Sequence, residues 1–381
     1  MLQFNSLDTV KWSERFGNKS GGDHNYSGTT EFGNAKTAFT GTQDATTGTV
    51  SSASGFSIGD LVLIHQTRNG GDGAGNWQLN KITNIVSTTF TFKYPLQHDF
   101  DTTAQIIQII QHKDITISGT LNAPAWNGTT GGIIVLMGES ISGSGTISLN
   151  SAGYRGGAAT TQNQKPGRRG EGTAAGSGTQ AQTRNATAAG GSSGTTGDVG
   201  GGGGGGHAAT GTNGVTGTNG SGGQGGDVGG SADLTTMIFG GGGASAGAKN
   251  EPGRTGGAGG RSGGILVIIC KNIDLSSMTI VRSNGGNGGN GSSDGGDGGG
   301  GSGGSILLKG QVVNYGSSKL TVAAGSGGTG GGGGNGGAGA VGRIRVEYSK
   351  SLTGTTTPTA STAKDTIFAD MGSGASLLAL L

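Results

Sequence analysis

Glycine recurs at every third position in four separate stretches of this sequence. The first stretch has glycine at positions 191, 194, 197, 200, 203 and 206, and the second at 211, 214, 217, 220, 223, 226 and 229. The third has it at 286, 289, 295, 298, 301 and 304, with Ser292 as the interruption, and the fourth at 327, 330, 333, 336, 339 and 342. A polyproline II helix has three residues per turn and rises about 3.1 Å per residue. The register therefore predicts four rods, each roughly 50 to 60 Å long.

Close approach is the physical reason for glycine in such rods. A polyproline II helix makes no internal hydrogen bonds, so its N–H and C=O groups need partners from neighbouring rods. Facing positions without side chains allow that contact, and we predict a polyglycine II bundle. Its scaffold glycines are Gly194, Gly200, Gly214, Gly220, Gly226, Gly289, Gly298, Gly330 and Gly336. Disordered glycine-rich loops and a collagen-like trimer are the alternatives, although collagen needs about 15–20% proline and this chain has 5 prolines.

Short apolar strands separate the glycine stretches. Gly264, Gly304 and Gly342 each open such a strand, so the unit recurs about every 40 residues, a period typical of stacked supersecondary units. Before residue 114, alternating apolar and polar residues predict a small β module. The predicted fold is all-β: an N-terminal barrel or sandwich (1–113, for attachment or docking), a β-helix-like repeat stack with the glycine bundle (114–350), and a C-terminal tail (351–381).

Composition excludes several classes of function. The 24 basic and 22 acidic residues nearly balance, so there is no basic field for nucleic acid or an anionic membrane. No apolar run is long enough to span a bilayer, and the first residues lack the apolar region of a secretion signal. The single cysteine, Cys270, lies in an apolar run and is expected to be a buried hydrophobe. A virion protein or an extracellular surface protein fits this combination.

Residue types that carry chemistry are sparse. The histidines show no short-spaced pairing, and no paired carboxylates resemble an acid/base site, so we predict no catalytic residue, no metal and no cofactor. Asp294 and Asp297 faintly resemble a calcium-binding nonapeptide, but the apolar residue that should follow is missing. A solvated turn is the favoured interpretation of this pair.

Turns between the rods are the predicted binding residues, because loops on a rigid scaffold carry recognition. The candidates are Tyr154, Arg155, Arg168, Arg169, His207, Met237, Phe239, Lys249 and Arg254. Met237 to Phe239 could equally be an apolar plug at the end of the bundle. Arg168 and Arg169 form either a solvated turn or a contact for anionic sugars. If successive rods run up and down, His207 and Phe239 lie at opposite ends.

The triplet runs interleaved with β segments resemble the tip adhesins of T-even-type phage long tail fibres, over roughly 191–342. The repeated Gly-Gly-strand units are similar to β-helical surface-fibre proteins. Such adhesins stack polyglycine II helices and display loops that bind host receptors. The resemblance implies a virion structural protein, non-enzymatic and homo-oligomeric, that contacts other virion or fibre subunits and a host-surface glycan or protein receptor. Longer apolar strands and a separate N-terminal module distinguish this chain from those adhesins.

Two other functions stay open at this stage. One is a self-assembling extracellular filament or surface-matrix subunit of a microbe. In that case the Leu-rich terminus, Leu377 to Leu381, or the N-terminal module docks onto the next copy. The other is an enzyme such as a β-helical polysaccharide lyase, which the absence of an acid/base cluster disfavours.

Overall fold

A computed structural model describes residues 16–69, 73–161, 167–174, 183–184, 186–191, 199–218 and 220–364. The described residues contain nineteen β-strands and no helix, so the prediction of an all-β chain is confirmed. Gly194 and the leucines at the C-terminus lie outside the described residues. The predicted domain boundaries stay predictions.

Six antiparallel strands close a barrel in the N-terminal part of the chain. They are β3 (Lys36–Gly41), β4 (Thr47–Val50), β5 (Leu61–Gln66), β6 (Trp77–Val86), β7 (Thr89–Phe92) and β8 (Phe100–Ile109), in the order β3-β4-β7-β6-β5-β8. Alternating residues fill the interior with Phe39, Phe90, Phe100 and Ile106 among others. The opposite face of β5 and β8 is also apolar and packs into the second, larger core of the molecule.

Parallel strands form a stack beside the barrel. They are β1 (His24–Tyr26), β2 (Thr29–Glu31), β9 (Asp114–Ile117), β10 (Thr120–Asn122), β11 (Ile133–Gly143), β12 (Thr146–Ser148), β15 (Ile265–Asp274), β16 (Ile280–Arg282), β17 (Ser305–Thr321), β18 (Arg343–Thr357) and β19 (Ser361–Lys364). Every pairing among them is parallel. The two remaining strands, β13 (Thr160–Thr161) and β14 (Thr255–Gly256), form a short antiparallel pair.

A coil of the stack is the stretch of chain between two residues that pair on neighbouring parallel strands. The register of the strands therefore gives the length of each coil. A coil without an insertion is short, whereas the barrel and the glycine-rich insertions lengthen the others. The registered pairs, in chain order, are His24–Ile115, Ile115–Ile141, Ile133–Ile265, Ile265–Ser305, Ser305–Arg343 and Arg345–Ser361. The sequence repeat that starts at Gly264, Gly304 and Gly342 therefore corresponds to two successive coils. Because β1 and β2 pair with β9 and β10, the first coil begins before the barrel.

Glycine-rich insertions leave the stack as extended segments. Twelve such segments, g1 to g12, lie within the described residues. They span 153–157 (g1), 167–172 (g2), 187–191 (g3), 199–206 (g4), 211–217 (g5), 220–229 (g6), 240–247 (g7), 255–264 (g8), 283–291 (g9), 295–304 (g10), 323–329 (g11) and 333–342 (g12).

Hydrogen bonds between these segments repeat every three residues. In g4 the N–H groups donate in turn to g5, g10 and g3, with N···O distances of 2.8 to 3.3 Å. Its carbonyl oxygens accept from three other segments, g6, g12 and g7. Segment g4 therefore has six neighbours, and the backbone groups of residues 201–206 are bonded to them without internal hydrogen bonds. Each bond is written here from the N–H donor to the carbonyl acceptor. The bonds that g4 donates are 201→215, 202→297, 203→190, 204→212, 205→300 and 206→187. The bonds that g4 accepts are 223→201, 226→204, 334→199, 337→202, 340→205, 244→203 and 241→206.

Segments g7 and g10 are enclosed in the same way. The neighbours of g7 are g4, g2, g8, g10, g3 and g1, and those of g10 are g12, g9, g7, g4, g8 and g11. The three segments g4, g7 and g10 touch one another, and the other nine surround them in the order g5, g6, g3, g2, g1, g8, g9, g11, g12. Three enclosed rods within a ring of nine make a hexagonal lattice.

The prediction of one long rod per glycine stretch is wrong for three of the four stretches. The stretch from 211 to 229 folds into the antiparallel pair g5 and g6, where Gly214 donates to the carbonyl of Gly223. The stretches 286–304 and 327–342 divide in the same way, and Gly298 donates to Gly289 across the g9–g10 pair. In a hairpin, each segment can hydrogen-bond to the segment next to it in sequence. The backbone groups of a single long rod would instead need hydrogen-bond partners from distant parts of the chain. Ser292, which interrupts the triplet register, lies at one of these turns.

Enclosed segments tolerate almost no side chains. A Cβ atom at Gly205 would overlap the carbonyl oxygen of Gly241, and one at Gly299 would overlap that of Gly203. Unbroken runs such as 200–206 therefore occupy enclosed positions. Segments of the ring face solvent at one position in three, and that position carries a side chain, as at Asn335, Ala338 and Val341 of g12.

Asparagines cap one edge of the lattice. The Oδ1 atoms of Asn284, Asn287 and Asn290 in g9 accept hydrogen bonds from the backbone N–H groups of Ala323, Ser326 and Thr329 in g11, at 2.7, 2.9 and 3.1 Å. Each side chain thus supplies an acceptor where the ring has no further segment. The three-residue spacing of these asparagines follows from the three-residue period of the lattice.

Candidate binding surface at the tip of the glycine bundle

The bundle has two different ends. Strands β15, β17 and β18 begin directly after g8, g10 and g12, so those ends form a base against the stack. At the other end, the tip, the chain reverses between g7 and g8, between g9 and g10, and between g11 and g12. The reversing turns span 248–254, 292–294 and 330–332. The tip turns are therefore held at fixed positions by rods that hydrogen-bond to one another.

Charged side chains meet at the tip. Arg254 Nη2 lies 2.7 Å from Asp294 Oδ2, and Lys249 Nζ lies 2.8 Å from Glu251 Oε1. Lys249 also lies 3.9 Å from Asp294, and Arg254 Nε lies 3.4 Å from Glu251. All four side chains are between 25 and 42% exposed, so a ligand could reach them. We name Lys249, Glu251, Arg254 and Asp294 the tip cluster.

Hydroxyl groups border the tip cluster. The guanidinium of Arg254 donates to Ser293 Oγ, and Ser292 Oγ accepts from the N–H of Thr255 at 2.9 Å. The tip cluster pairs two cations with two anions, so its formal charge is zero. Donors and acceptors stand side by side there, which suits a ligand rich in hydroxyl or amide groups.

Two predicted binding residues belong to this cluster. The turns of g7–g8 and g9–g10 bring Lys249 and Arg254 together with Asp294, which lies on the next coil of the chain. Glu251 lies within the predicted turn from Lys249 to Arg254, whereas Ser293 and Asp294 were not among the candidates. The break in register at Ser292 was the signal for them.

Met237 and Phe239 lie at the base. Both are fully buried, and Phe239 packs edge-on against Trp126 and Tyr154 with ring centroids 5.8 and 5.1 Å apart. The carbonyl oxygen of Met237 lies 2.7 Å from Nε2 of His65 in barrel strand β5. Burial lowers the pKa of His65 to about 4, so the ring is neutral at pH 7 and donates from Nε2. Of the two interpretations of this turn, burial supports the apolar plug.

A buried carboxylate joins the barrel, the stack and the bundle. Glu171 in g2 is fully buried and lies 3.1 Å from Arg155 Nε in g1. Arg68 of the barrel also pairs with it, and Trp126 Nε1 donates to its Oε2 at 3.1 Å. Arg155 therefore neutralises an interior anion.

Tyr154 donates its hydroxyl to the carbonyl of Thr67 in the barrel. Its side chain is fully buried. Burial, with Glu171 nearby, raises the pKa of this phenol well above its usual range, so the group remains a donor.

His207 also lies at the base. Its ring is fully buried, and Nδ1 lies 2.8 Å from the carbonyl oxygen of Gly303. Burial lowers its pKa to about 4, and Arg343 nearby acts in the same direction. The Oγ of Ser305 lies 3.5 Å from its Nε2 and donates to the carbonyl of Ile238 at 2.8 Å. The prediction that His207 and Phe239 lie at opposite ends is therefore wrong, because the chain between them folds into a hairpin.

Arg168 and Arg169 lie on g2 in the ring and are half-buried. The backbone N–H of Arg168 donates to Ser245 Oγ at 2.8 Å, which fixes g2 on g7. Among the nine predicted binding residues, burial keeps Tyr154, His207, Met237 and Phe239 from an external ligand in this conformation. Lys249 and Arg254 remain the accessible pair at the tip.

The described part of the chain contains no group of three or more histidine, cysteine, aspartate or glutamate residues placed to hold a metal ion. His24 and His112 do stack in space, with centroids 4.9 Å apart, although the whole barrel separates them in sequence. Asp297 is fully buried, so the interpretation of this residue as part of a solvated turn is wrong. No helix among the described residues is long and apolar enough to cross a membrane.

Comparison with solved structures gives weak likenesses, which include two phage tailspikes. No family model and no curated protein matches this chain. The tailspike protein gp49 from Pseudomonas phage LKA1 aligns with 34% of this chain and 29% of its own, at 12% identity and a TM-score of 0.20. The gp54 tailspike of Acinetobacter baumannii bacteriophage AP22, solved in complex with A. baumannii capsular saccharide, aligns with 34% of this chain and 27% of its own, at 11% identity and a TM-score of 0.18. The match thus spans less than a third of either tailspike.

Proposed function

We propose that this chain is a non-enzymatic virion structural protein, a tail fibre, spike or tip adhesin, that binds a host-surface receptor with the tip of its glycine bundle. The observation that carries the proposal is the fixed placement of the tip cluster by hydrogen-bonded rods. Binding residues on a rigid scaffold lose little conformational freedom when they bind, so more of the contact energy appears as affinity.

We infer further that the twelve segments adopt the polyglycine II conformation. The support is the three-residue rotation of donors and acceptors around g4, g7 and g10, which matches three residues per turn. Closely packed glycine rods leave room for few side chains between them, so we expect the bundle to be stiff for its width. That property suits a part that projects from a particle.

A host-surface glycan or protein is the proposed receptor, and other fibre or virion subunits are the proposed partners. The tip cluster favours a ligand with many neutral hydrogen-bonding groups, because its own charges already balance. The barrel, which packs beside the stack at a distance from the tip turns, is proposed to serve attachment.

Adsorption to host cells tests the adhesive role. Purified protein carrying Arg254→Gln or Lys249→Ala should lose adsorption by roughly tenfold or more, while its thermal unfolding temperature stays unchanged. The matched control is Arg184→Gln, because Arg184 also forms an exposed ion pair, with Asp227 at 2.7 Å, but near the base. Equal adsorption by all three variants and the parent protein would exclude binding through the tip.

A self-assembling filament is the second candidate function. The observation that favours it is the edge strand of the last described coil, where β19 pairs with residues 345–348 of β18 and with no other described strand. Strand β1, at the other end of the stack, pairs on one side only among the described strands. Unpaired edges of this kind can accept a strand of the next copy. Electron microscopy of the purified protein separates the two functions: ordered polymers support the filament, and discrete particles support the adhesin.

A further inference from the structure

Asp297 is the one charged residue in the three enclosed segments g4, g7 and g10. It is fully buried, near the end of g10 that faces the tip. Positions that precede and follow it in g10 are glycine, and each packs directly against a neighbouring backbone. A carboxylate at such a position needs a specific reason, because burial of a charge is costly unless it is compensated.

One oxygen of this carboxylate accepts two backbone N–H groups near the tip. Asp297 Oδ1 accepts the N–H of Gly291, at 2.8 Å, and the N–H of Gly331, at 2.9 Å. Gly291 ends g9, and Gly331 lies in the turn between g11 and g12. The side chain therefore ties two hairpins together at the tip.

The other oxygen has no partner in the part of the chain that the structure describes. Asp297 Oδ2 is buried and makes no hydrogen bond within the described residues. Among those residues, no lysine or arginine forms an ion pair with Asp297, whereas Asp294, three positions earlier, pairs with Arg254 and Lys249. Two neutral N–H donors stabilise a carboxylate but do not neutralise it. Among the described residues, the interior thus contains a carboxyl oxygen with neither a hydrogen-bond partner nor a paired cation.

Carbonyl oxygens lie close to the two glycines that donate to Asp297. A Cβ atom at Gly291 or at Gly331 would crowd the carbonyl oxygen of Gly295, so that oxygen lies beside both glycines that bond Asp297. A Cβ atom at Gly291 would also crowd the carbonyl of Gly296. Carboxylate and carbonyl oxygens are the ligands of hard cations.

We propose that Asp297 is the anionic ligand of a buried site for one hard cation, Na⁺, K⁺ or Ca²⁺, whose other ligands are backbone carbonyl oxygens at the tip end of g10, such as those of Gly295 and Gly296. The described residues hold no cluster of three acidic or histidine side chains, so this site depends on backbone oxygen. The cation balances the carboxylate and fixes the turns 292–294 and 330–332 against each other. The inference holds for either proposed function, because it concerns the order of the tip and not what the tip binds.

Thermal unfolding under defined salts tests the site. The full chain is dialysed against chelator and choline chloride, and NaCl, KCl or CaCl₂ is then added at matched ionic strength. One of the three salts should raise the unfolding temperature by about 2 °C or more, since a ligand bound only by the folded state stabilises it. The same salt should give no rise in Asp297→Asn, while Asp294→Asn, in the neighbouring exposed ion pair, keeps the rise.

Elemental analysis covers the case in which Asp297→Asn does not fold. Parent protein equilibrated with the stabilising salt and passed through a desalting column should retain about one equivalent of that cation per chain. No salt-specific rise together with no retained cation would overturn the proposal in favour of a protonated carboxyl or a buried water. Loss of the rise in Asp294→Asn would overturn the assignment to Asp297.

Discussion

At the scale of single residues, the lattice separates glycines by what a Cβ atom would meet. A Cβ atom at Gly298 would overlap the carbonyl oxygen of Ala258 in the adjoining segment. The backbones of Gly298 and Ala258 are both hydrogen-bonded to neighbouring segments. At Gly289, across the same g9–g10 hairpin, the nearest atom would be 3.3 Å away. Glycine is thus required for steric reasons at Gly298 and only weakly required at Gly289, although both belong to the same three-residue glycine pattern.

Gly298→Ala should lower the free energy of unfolding by about 2 kcal/mol or more, because overpacking forces the backbone to shift. Gly289→Ala should change it by less than about 1 kcal/mol, since mild crowding is offset by the lower entropy of the unfolded chain. Denaturant unfolding followed by circular dichroism measures both. Equal effects of the two substitutions would mean that the segments are not packed as described.

Histidine burial predicts how stability depends on pH. His65 and His207 have pKa values of about 4 in the folded chain against 6.5 when unfolded, so the unfolded chain binds more protons between those values. The free energy of unfolding should therefore fall as the pH drops from about 6.5 to 4, by up to about 3 kcal/mol for each histidine. Above pH 7 the two residues contribute no dependence.

Thermal unfolding between pH 4 and 8 checks this expectation. The double variant His65→Gln, His207→Gln should show a flatter profile than the parent protein. His24→Gln serves as control, because His24 is exposed and its loss should leave the profile steep. A parent profile that is flat between pH 6.5 and 4 would contradict the burial of both rings.

At the scale of elements, the asparagine row of g9 takes over the role of a missing rod. Asn287 Oδ1 accepts the N–H of Ser326 at 2.9 Å, and the side chain is exposed. Asn287→Ala should cost about 0.5 to 1.5 kcal/mol, the usual contribution of one hydrogen bond. Asn287→Asp keeps an acceptor at the same place and should cost less. The difference between the two variants, measured by thermal unfolding, tests whether the amide acts as an acceptor.

Sequence periodicity predicted the elements better than their lengths. The repeat that starts at Gly264, Gly304 and Gly342 corresponds to coils of the stack. Among the described residues, the triplet glycines lie in hydrogen-bonded segments, apart from Gly330, which lies in a tip turn. The reversals inside three of the four predicted rods were not foreseen, because a hairpin turn within a glycine-rich run can keep the triplet register. Only Ser292 interrupted it. Segment g7, with the sequence Gly-Gly-Gly-Gly-Ala-Ser-Ala-Gly, was overlooked because an enclosed rod needs small residues at every position and so shows no triplet contrast.

The position of each turn at the base or at the tip explains why some predicted binding residues are buried and others are accessible. Aromatic and histidine side chains in turns suggest recognition, but the turns at the base face the stack and the barrel, where Phe239, Tyr154 and His207 are enclosed. Which end of a rod faces solvent depends on how many times the chain reverses, and periodicity alone does not specify that number. Lys249 and Arg254 flank a turn at the tip and stayed accessible.

At the scale of the whole molecule, the stack and the bundle depend on each other. Each coil of parallel strands needs a connection back to its start, and the glycine hairpins are those connections in the coils that end at β17 and β18. The rods in turn pair only because successive coils place their ends side by side. Isolated glycine segments would remain disordered, since glycine loses more backbone entropy on ordering than any other residue. The bundle is therefore expected to form and to unfold together with the stack.

Amide hydrogen exchange of protein labelled with ¹⁵N-glycine tests the enclosed lattice most directly. We predict that glycine amides in 201–206, 241–243 and 298–301 exchange on the order of 1,000-fold or more slowly than those of an unstructured chain, because each N–H is bonded to a neighbouring segment away from water. Glycines at turns, such as Gly253, should exchange fast. Fast exchange throughout the three enclosed runs would show that they are flexible loops and would contradict the account.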